Sequence, residues 1–336
     1  MPTISPVTVL APADKSLPRT LTAKDAAAIL SLAAGEIPEA GATEKAVTSN
    51  TLYNGYLKIF RGNPEALLDL FQKGQSLFNQ PSINELLPEA AKNALAKIAK
   101  LMDSLLCSPK SLANPLFLKD YAARLGLSLE SEWQKLVQQG SENQRPAESL
   151  KGLLLKLSIE LKGLLKANET LDPEALQKLT HLAKFTEDAV RTIEAQQMIN
   201  IRPQENDSKY LLQIPLLFPG GVRTGEIFIE ERENGPGGEG KDKKFHVVMF
   251  LNMDQLGDLV VDASLSGSKV ACVFKFSDPG AQEFFSPYLA GLGDALRQIG
   301  YDCDSLTSLL ADDLPALRQD CHREMFYDQD AINLFA

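Results

Sequence analysis

From about Leu52 to Asn200 apolar residues recur at helical spacing, and from about Ser208 they alternate with polar ones, the period of a strand with one covered face. The helical stretch is punctuated. Asn63-Pro64-Glu65, Asn114-Pro115 and Asp172-Pro173-Glu174 each set a capping side chain before a proline at the first helical position. Gly126 and Gly140 suit helix ends, because glycine accepts the left-handed conformation that closes a helix. Between them Ser128 to Gln139 predicts a short helix carrying the only tryptophan, Trp133. Two longer helices follow. The first, from about Ala147 to Ala167, sets Leu150, Leu153, Leu154, Leu157, Leu161, Leu164 and Leu165 on one face, with Lys151, Lys156, Lys162 and Lys166 on the rest. The second spaces Leu176, Leu179, Ala183, Thr186, Val190 and Ile193 by threes and fours, a seam for a partner helix in this chain or another, with internal packing favoured.

The alternating region predicts strands at Tyr210 to Phe218 and Glu226 to Glu231, joined by a turn at Pro219-Gly220-Gly221. Phe245, Val247, Met249 and Leu251 then share one face, as do Leu259, Val261, Ala263 and Leu265. Ser266-Gly267-Ser268 makes a hairpin turn, and Val270, Cys272, Phe274 and Phe276 alternate on the return. Asp278-Pro279 opens a helix whose buried stripe is Phe284, Phe285, Tyr288, Leu289, Leu292, Leu296 and Ile299, ended by Gly300. The expected fold is α+β: a helical region over residues 51–200, then, over 201–310, a small, mainly antiparallel sheet covered by one amphipathic helix. Residues 1–50, mixing Pro, Ala, Thr and Ser with few aromatics, predict a disordered leader, with a short helix from Ala23 to Ala33.

Composition sharpens the far end. The 336 residues carry a formal net charge of −10, the wrong sign for general nucleic-acid binding. Residues 311–336 read as an acidic tail. From Tyr301 onward, Arg318 and Arg323 are the only basic residues against Asp302, Asp304, Asp312, Asp313, Asp320, Glu324, Asp328 and Asp330. Cys107, Cys272, Cys303 and Cys321 lie too far apart for a zinc or disulfide pattern and predict free thiols in a reducing compartment. No signal peptide or membrane-spanning run is legible, so the expectation is a cytoplasmic protein, or one exported without a cleaved signal.

Chemical motifs are thin. Gly235 to Lys241 has the spacing of a phosphate-binding loop, but Asp242 replaces the magnesium-binding hydroxyl and a strand follows where a helix is needed. A plain loop between strands is the expectation. His181, His246 and His322 are not at metal-ligand spacing, and Cys303 with Cys321-His322 offers three ligands where structural zinc wants four. No catalytic residue, cofactor or metal is expected. The helix from Leu150 to Leu165 also contains Glu160, which favours a packed bundle helix over a membrane-surface one.

The stretch from about Ala195 to Leu310 resembles the carboxyl-terminal domain of the flagellar hook-length control family. Phe250-Leu251-Asn252-Met253-Asp254-Gln255-Leu256-Gly257-Asp258-Leu259-Val260-Val261 is similar to its strand, Leu-Gly step and second strand. Ser264 to Val270 resembles its hairpin, and Ala281 to Gly300, with Leu289, Leu292 and Leu296, its closing helix. Leu251, Leu256, Gly257, Val261, Gly267, Leu292, Leu296 and Gly300 are the signature positions, expected to determine the fold rather than to react. The resemblance implies a non-enzymatic switch of type III export specificity; the alternatives are a general cytoplasmic scaffold or adaptor dimerising through the Leu176 to Ile193 seam and, after it, a nucleotide-binding enzyme using the Gly235 to Lys241 loop. The switch's partner would be the cytoplasmic domain of the membrane-bound export-gate switch protein, with hook or hook-cap proteins as further partners. The helix-rich middle departs from the family's extensible central region. A helix advances about 1.5 Å per residue against roughly 3.3 Å for an extended chain, so the switch is the stronger expectation than a length-measuring ruler.

Overall fold

The computed structural model describes residues 58–60, 63, 65–108, 111, 114, 116–138, 148–167, 172–200, 207–232, 244–254 and 256–327; the leader and the Gly235 to Lys241 loop lie outside them. The chain divides into two compact units, a helical one ending at Met198 and a mixed one beginning at Ile199. The fold is α+β.

The helical unit comprises α1 (Ala66–Phe78), α2 (Pro81–Leu86), α3 (Glu89–Leu105), α4 (Phe117–Leu125), α5 (Leu129–Gln138), α6 (Leu150–Ala167) and α7 (Pro173–Asn200), whose last two residues pass into the second unit. Asn63 Oδ1 accepts the Glu65 N–H at 3.0 Å and Asn114 Oδ1 the Leu116 N–H at 3.0 Å, but each turn lies just before its helix, which starts at Ala66 or Phe117 from an N-cap, Glu65 or Leu116, without a side-chain cap bond. Leu150, Leu153, Leu154, Leu157 and Leu161 of α6 are buried. Leu179, Thr186, Val190 and Ile193 of the α7 seam are also buried within this single chain, so most of the seam serves internal packing.

The end of α4 shows why glycine stands at position 126. Its φ of 100° closes the helix, with the Leu127 N–H reaching Ala122 O at 2.9 Å. A Cβ there would also meet Lys151 Cβ at 2.7 Å, so the turn can lie against α6 only without a side chain.

The second unit is built on one six-stranded sheet in sequential order: β1 (Asp207–Phe218), β2 (Gly221–Arg232), β3 (Lys244–Met253), β4 (Gly257–Ser266), β5 (Lys269–Phe276) and β6 (Asp302–Leu310). The first four pairings are antiparallel, and β5–β6 is parallel. A parallel neighbour needs a crossover, which is supplied by α8 (Pro279–Phe285), a 3₁₀ turn (Ser286–Tyr288) and α9 (Leu289–Gln298). The single closing helix expected over Ala281 to Gly300 is therefore in two pieces. Pro287 has no N–H to bond one turn back, and the chain tightens where that bond is missing.

Leu259, Val261, Val270, Cys272, Phe274 and Phe276 form the core on one face, with Leu289, Leu292 and Leu296 packed against it. The other face is buried too, which alternation did not reveal. Helix α10 (Leu314–Tyr327), from the segment read as an acidic tail, brings Phe228 and His322 together on that face, their rings 5.3 Å apart.

Candidate protein-binding surface

The sheet ends differently at its two edges. At β1 the Asn200 side chain mimics a neighbouring strand: its Nδ2 donates to Leu211 O at 2.9 Å, and its Oδ1 accepts the Leu211 N–H at 2.8 Å. At β6 the Ala311 N–H reaches back to Phe276 O at 2.9 Å. By strand alternation the odd-numbered residues of the adjoining stretch turn their backbone toward β5, and Leu306, Ser308 and Leu310 turn theirs outward. Ser308 O accepts from Gln282 Nε2 at 3.0 Å, and among the described residues no strand pairs with this edge.

Apolar side chains stand exposed on the same crossover unit. Phe284, Tyr288 and Ile299, expected in the buried stripe, face outward instead: Phe284 and Tyr288 are 60% and 59% exposed with ring centroids 5.6 Å apart, while Leu309 and Leu310 at the end of β6 are 39% and 47% exposed. Phe285, one residue on from Phe284, turns inward onto Phe274 and Phe276. Exposed Asp302 and Asp304 lie at one end of β6 and exposed Asp312 and Asp313 just past the other, with no Lys, Arg or His from Ile299 to Leu317. The surface offers outward backbone groups, apolar area and one sign of charge, features that protein-recognition surfaces share.

Away from the β6 edge, α10 is clipped to β2 by ions. Glu226 of β2 is 1% exposed and accepts from Gln213 Nε2 at 3.0 Å, Arg318 Nε at 2.7 Å and His322 Nε2 at 3.0 Å. Burial alone would raise its carboxyl, but the bonds from His322 and Arg318 outweigh this and hold it at about 2. On β4, Asp262 meets His246 Nε2 at 2.8 Å and Lys275 Nζ at 2.8 Å. Burial opposes ionisation there as well, and the Lys275 and His246 bonds keep the pKa low. Burial pushes the Cys321 thiol up to about 11 and the Cys107 thiol to about 12, so neither is a ready nucleophile at neutral pH.

The signature positions lie in the core and at turns, not around one cleft. Val261 is buried, Leu251, Leu256, Leu292 and Leu296 are half-buried against the core, and Gly257, Gly267 and Gly300 have φ of 65°, 59° and 97°. They shape the unit that presents β6. The Gly235 to Lys241 stretch connects β2 to β3, which pair antiparallel from Arg232↔Lys244 onward. His181 is exposed on α7, far in sequence from the clipped residues. Sequence reasoning missed Glu226, Arg318 and His322. The one signal for them was an i, i+4 pair of basic-capable side chains within an otherwise acidic segment.

Among the described residues no group of three or more His, Cys, Asp or Glu is placed to hold a metal ion, and no helix is long and apolar enough to cross a membrane. No protein-family model, curated protein or solved structure matches the chain.

Proposed function

We propose that the chain acts by protein contact, through the sheet unit, as a hook-length-control-like switch that engages the cytoplasmic domain of the flagellar export-gate protein. The observation that carries this reading is the open β6 edge with exposed Leu309 and Leu310, on the same crossover as the exposed Phe284–Tyr288 pair. The core built by Val261, Leu292 and Leu296 serves that surface, in keeping with the resemblance of the segment to a partner-binding domain. Contact with hook or hook-cap proteins belongs to the same reading.

The test is calorimetry of the full chain against the export-gate cytoplasmic domain. Binding in the micromolar range, about −8 kcal/mol, is the expected result and suits a regulated encounter. No heat of binding from a folded chain at hundredfold higher concentration overturns the reading.

A further inference from the structure

We infer that the β6 edge is completed by an added strand from its partner, and that this strand is apolar in the middle and basic at both ends. The inference deepens the proposed function and rests on it for the partner's identity, but not for the chemistry of the edge.

A sheet edge with outward N–H and C=O groups at Leu306 and Leu310 is a template for one more strand, whose main-chain bonds supply affinity and whose alternate side chains supply choice. Acidic side chains alone would only guard such an edge. A guarded edge has no use for Leu309 and Leu310 standing exposed on opposite faces of it. Strand alternation puts one leucine on each side of the seam, where apolar groups on both faces of an incoming strand would cover both. The charge then fixes the occupant. Asp302 and Asp304 precede this run, Asp312 and Asp313 follow it, and the nine residues of β6 span about 30 Å. An extended segment of similar length with Lys or Arg at each end meets both acidic ends at once. A second copy does not fit. Antiparallel pairing of two copies centred on Thr307, with Leu306 of each chain opposite Ser308 of the other, would set Asp302 of each chain opposite Asp312 of the other, and like charges directly opposed disfavour the pair.

The probe is a fluorescently labelled peptide, Lys-Lys-Val-Thr-Val-Thr-Val-Lys-Lys, titrated with the full chain by anisotropy beside a version with Glu for every Lys. The expected result is saturable binding of the basic peptide, at least tenfold tighter than the acidic one. Leu310→Pro removes only an outward N–H and keeps the Ala311 bond to Phe276, so it should weaken binding at least tenfold with an unchanged melting temperature. General attraction to an acidic chain would survive that change. Asp304→Lys with Asp312→Lys leaves the Asp313 cap of α10 in place, brings each acidic end to zero net charge and should abolish the peptide preference. Should Leu310→Pro fail to fold, the charge reversal decides alone. Equal binding of both peptides, or a folded Leu310→Pro chain that binds as the parent does, overturns the inference. Peptide selectivity without calorimetric binding of the export-gate domain leaves strand addition standing and removes the proposed partner. The converse keeps the partner and removes strand addition.

Discussion

The most deeply buried charged side chain described in each unit sits among polar and oppositely charged partners, a lysine in the helical unit and a carboxylate in the sheet unit. In the helical unit Lys151 of α6 is 1% exposed, bonded to Glu130 and to Gln197 Oε1 at 2.7 Å, with Glu194 Oε1 at 3.3 Å. In the sheet unit Glu226 is as deeply buried among Gln213, Arg318 and His322. The surroundings differ. Around Lys151 the helices are already joined by leucine stripes, and Gln197 ties the cluster further by donating to Gly126 O and Leu127 O. Around Glu226 the ions do much of the joining: the inward stripe of α10 is Leu314, Arg318, Cys321, His322 and Met325, with Arg318 and His322 its polar members. A buried charge inside an apolar frame specifies a packing, whereas one at a polar seam sets how firmly an element is attached.

Breaking the first cluster should have the largest effect. Lys151→Ala removes the cation shared by Glu130, Glu194 and Gln197, and urea unfolding should show a loss of about 3–5 kcal/mol. Glu226→Gln should lose about 2–3 kcal/mol, because Arg318 and His322 lose a charged acceptor but keep partial exposure. Its loss should appear in hydrogen exchange as faster opening of α10, with β3–β5 unchanged.

Acid sharpens the contrast. The folded pKa of Glu226, about 2, lies below its ordinary 4.5, so its contribution is complete above about pH 4.5 and is lost as pH falls toward 2. Protection of α10, corrected for intrinsic exchange, should therefore fall between pH 5 and pH 3 in the parent chain. That fall should be absent from Glu226→Gln; an equal fall in both chains would assign it elsewhere. Gly126→Ala should lose about 1–3 kcal/mol, from the left-handed φ and the close approach to Lys151. Lys97→Ala, which breaks an exposed pair with Glu148, should change stability by under about 1 kcal/mol.

What the sequence revealed follows from where apolar residues carry the packing. Strands β3 to β5 were legible because Met249, Val261 and Phe274 alternate cleanly with residues of the other face, and α6 because its leucines repeat every three or four positions. Strand β6 was not, since Leu309 and Leu310 are adjacent and Asp302 to Ser305 offer no apolar alternation. It is a strand because β5 templates it. Helix α10 was hidden for a related reason. Its inward Arg318 and His322 look like surface residues until Glu226 is found opposite them, 96 positions from His322 in sequence. The candidate surface shared this fate: its core positions could be read and its edge could not, because an edge is defined by what fails to pair with it.

The most direct test of the account is hydrogen exchange on the full chain with and without a saturating export-gate cytoplasmic domain. The account predicts new protection concentrated in β6 and the adjoining α8, with the helices around Lys151 unchanged. Binding that protects the helical unit and leaves β6 exchanging as in the free chain would contradict it.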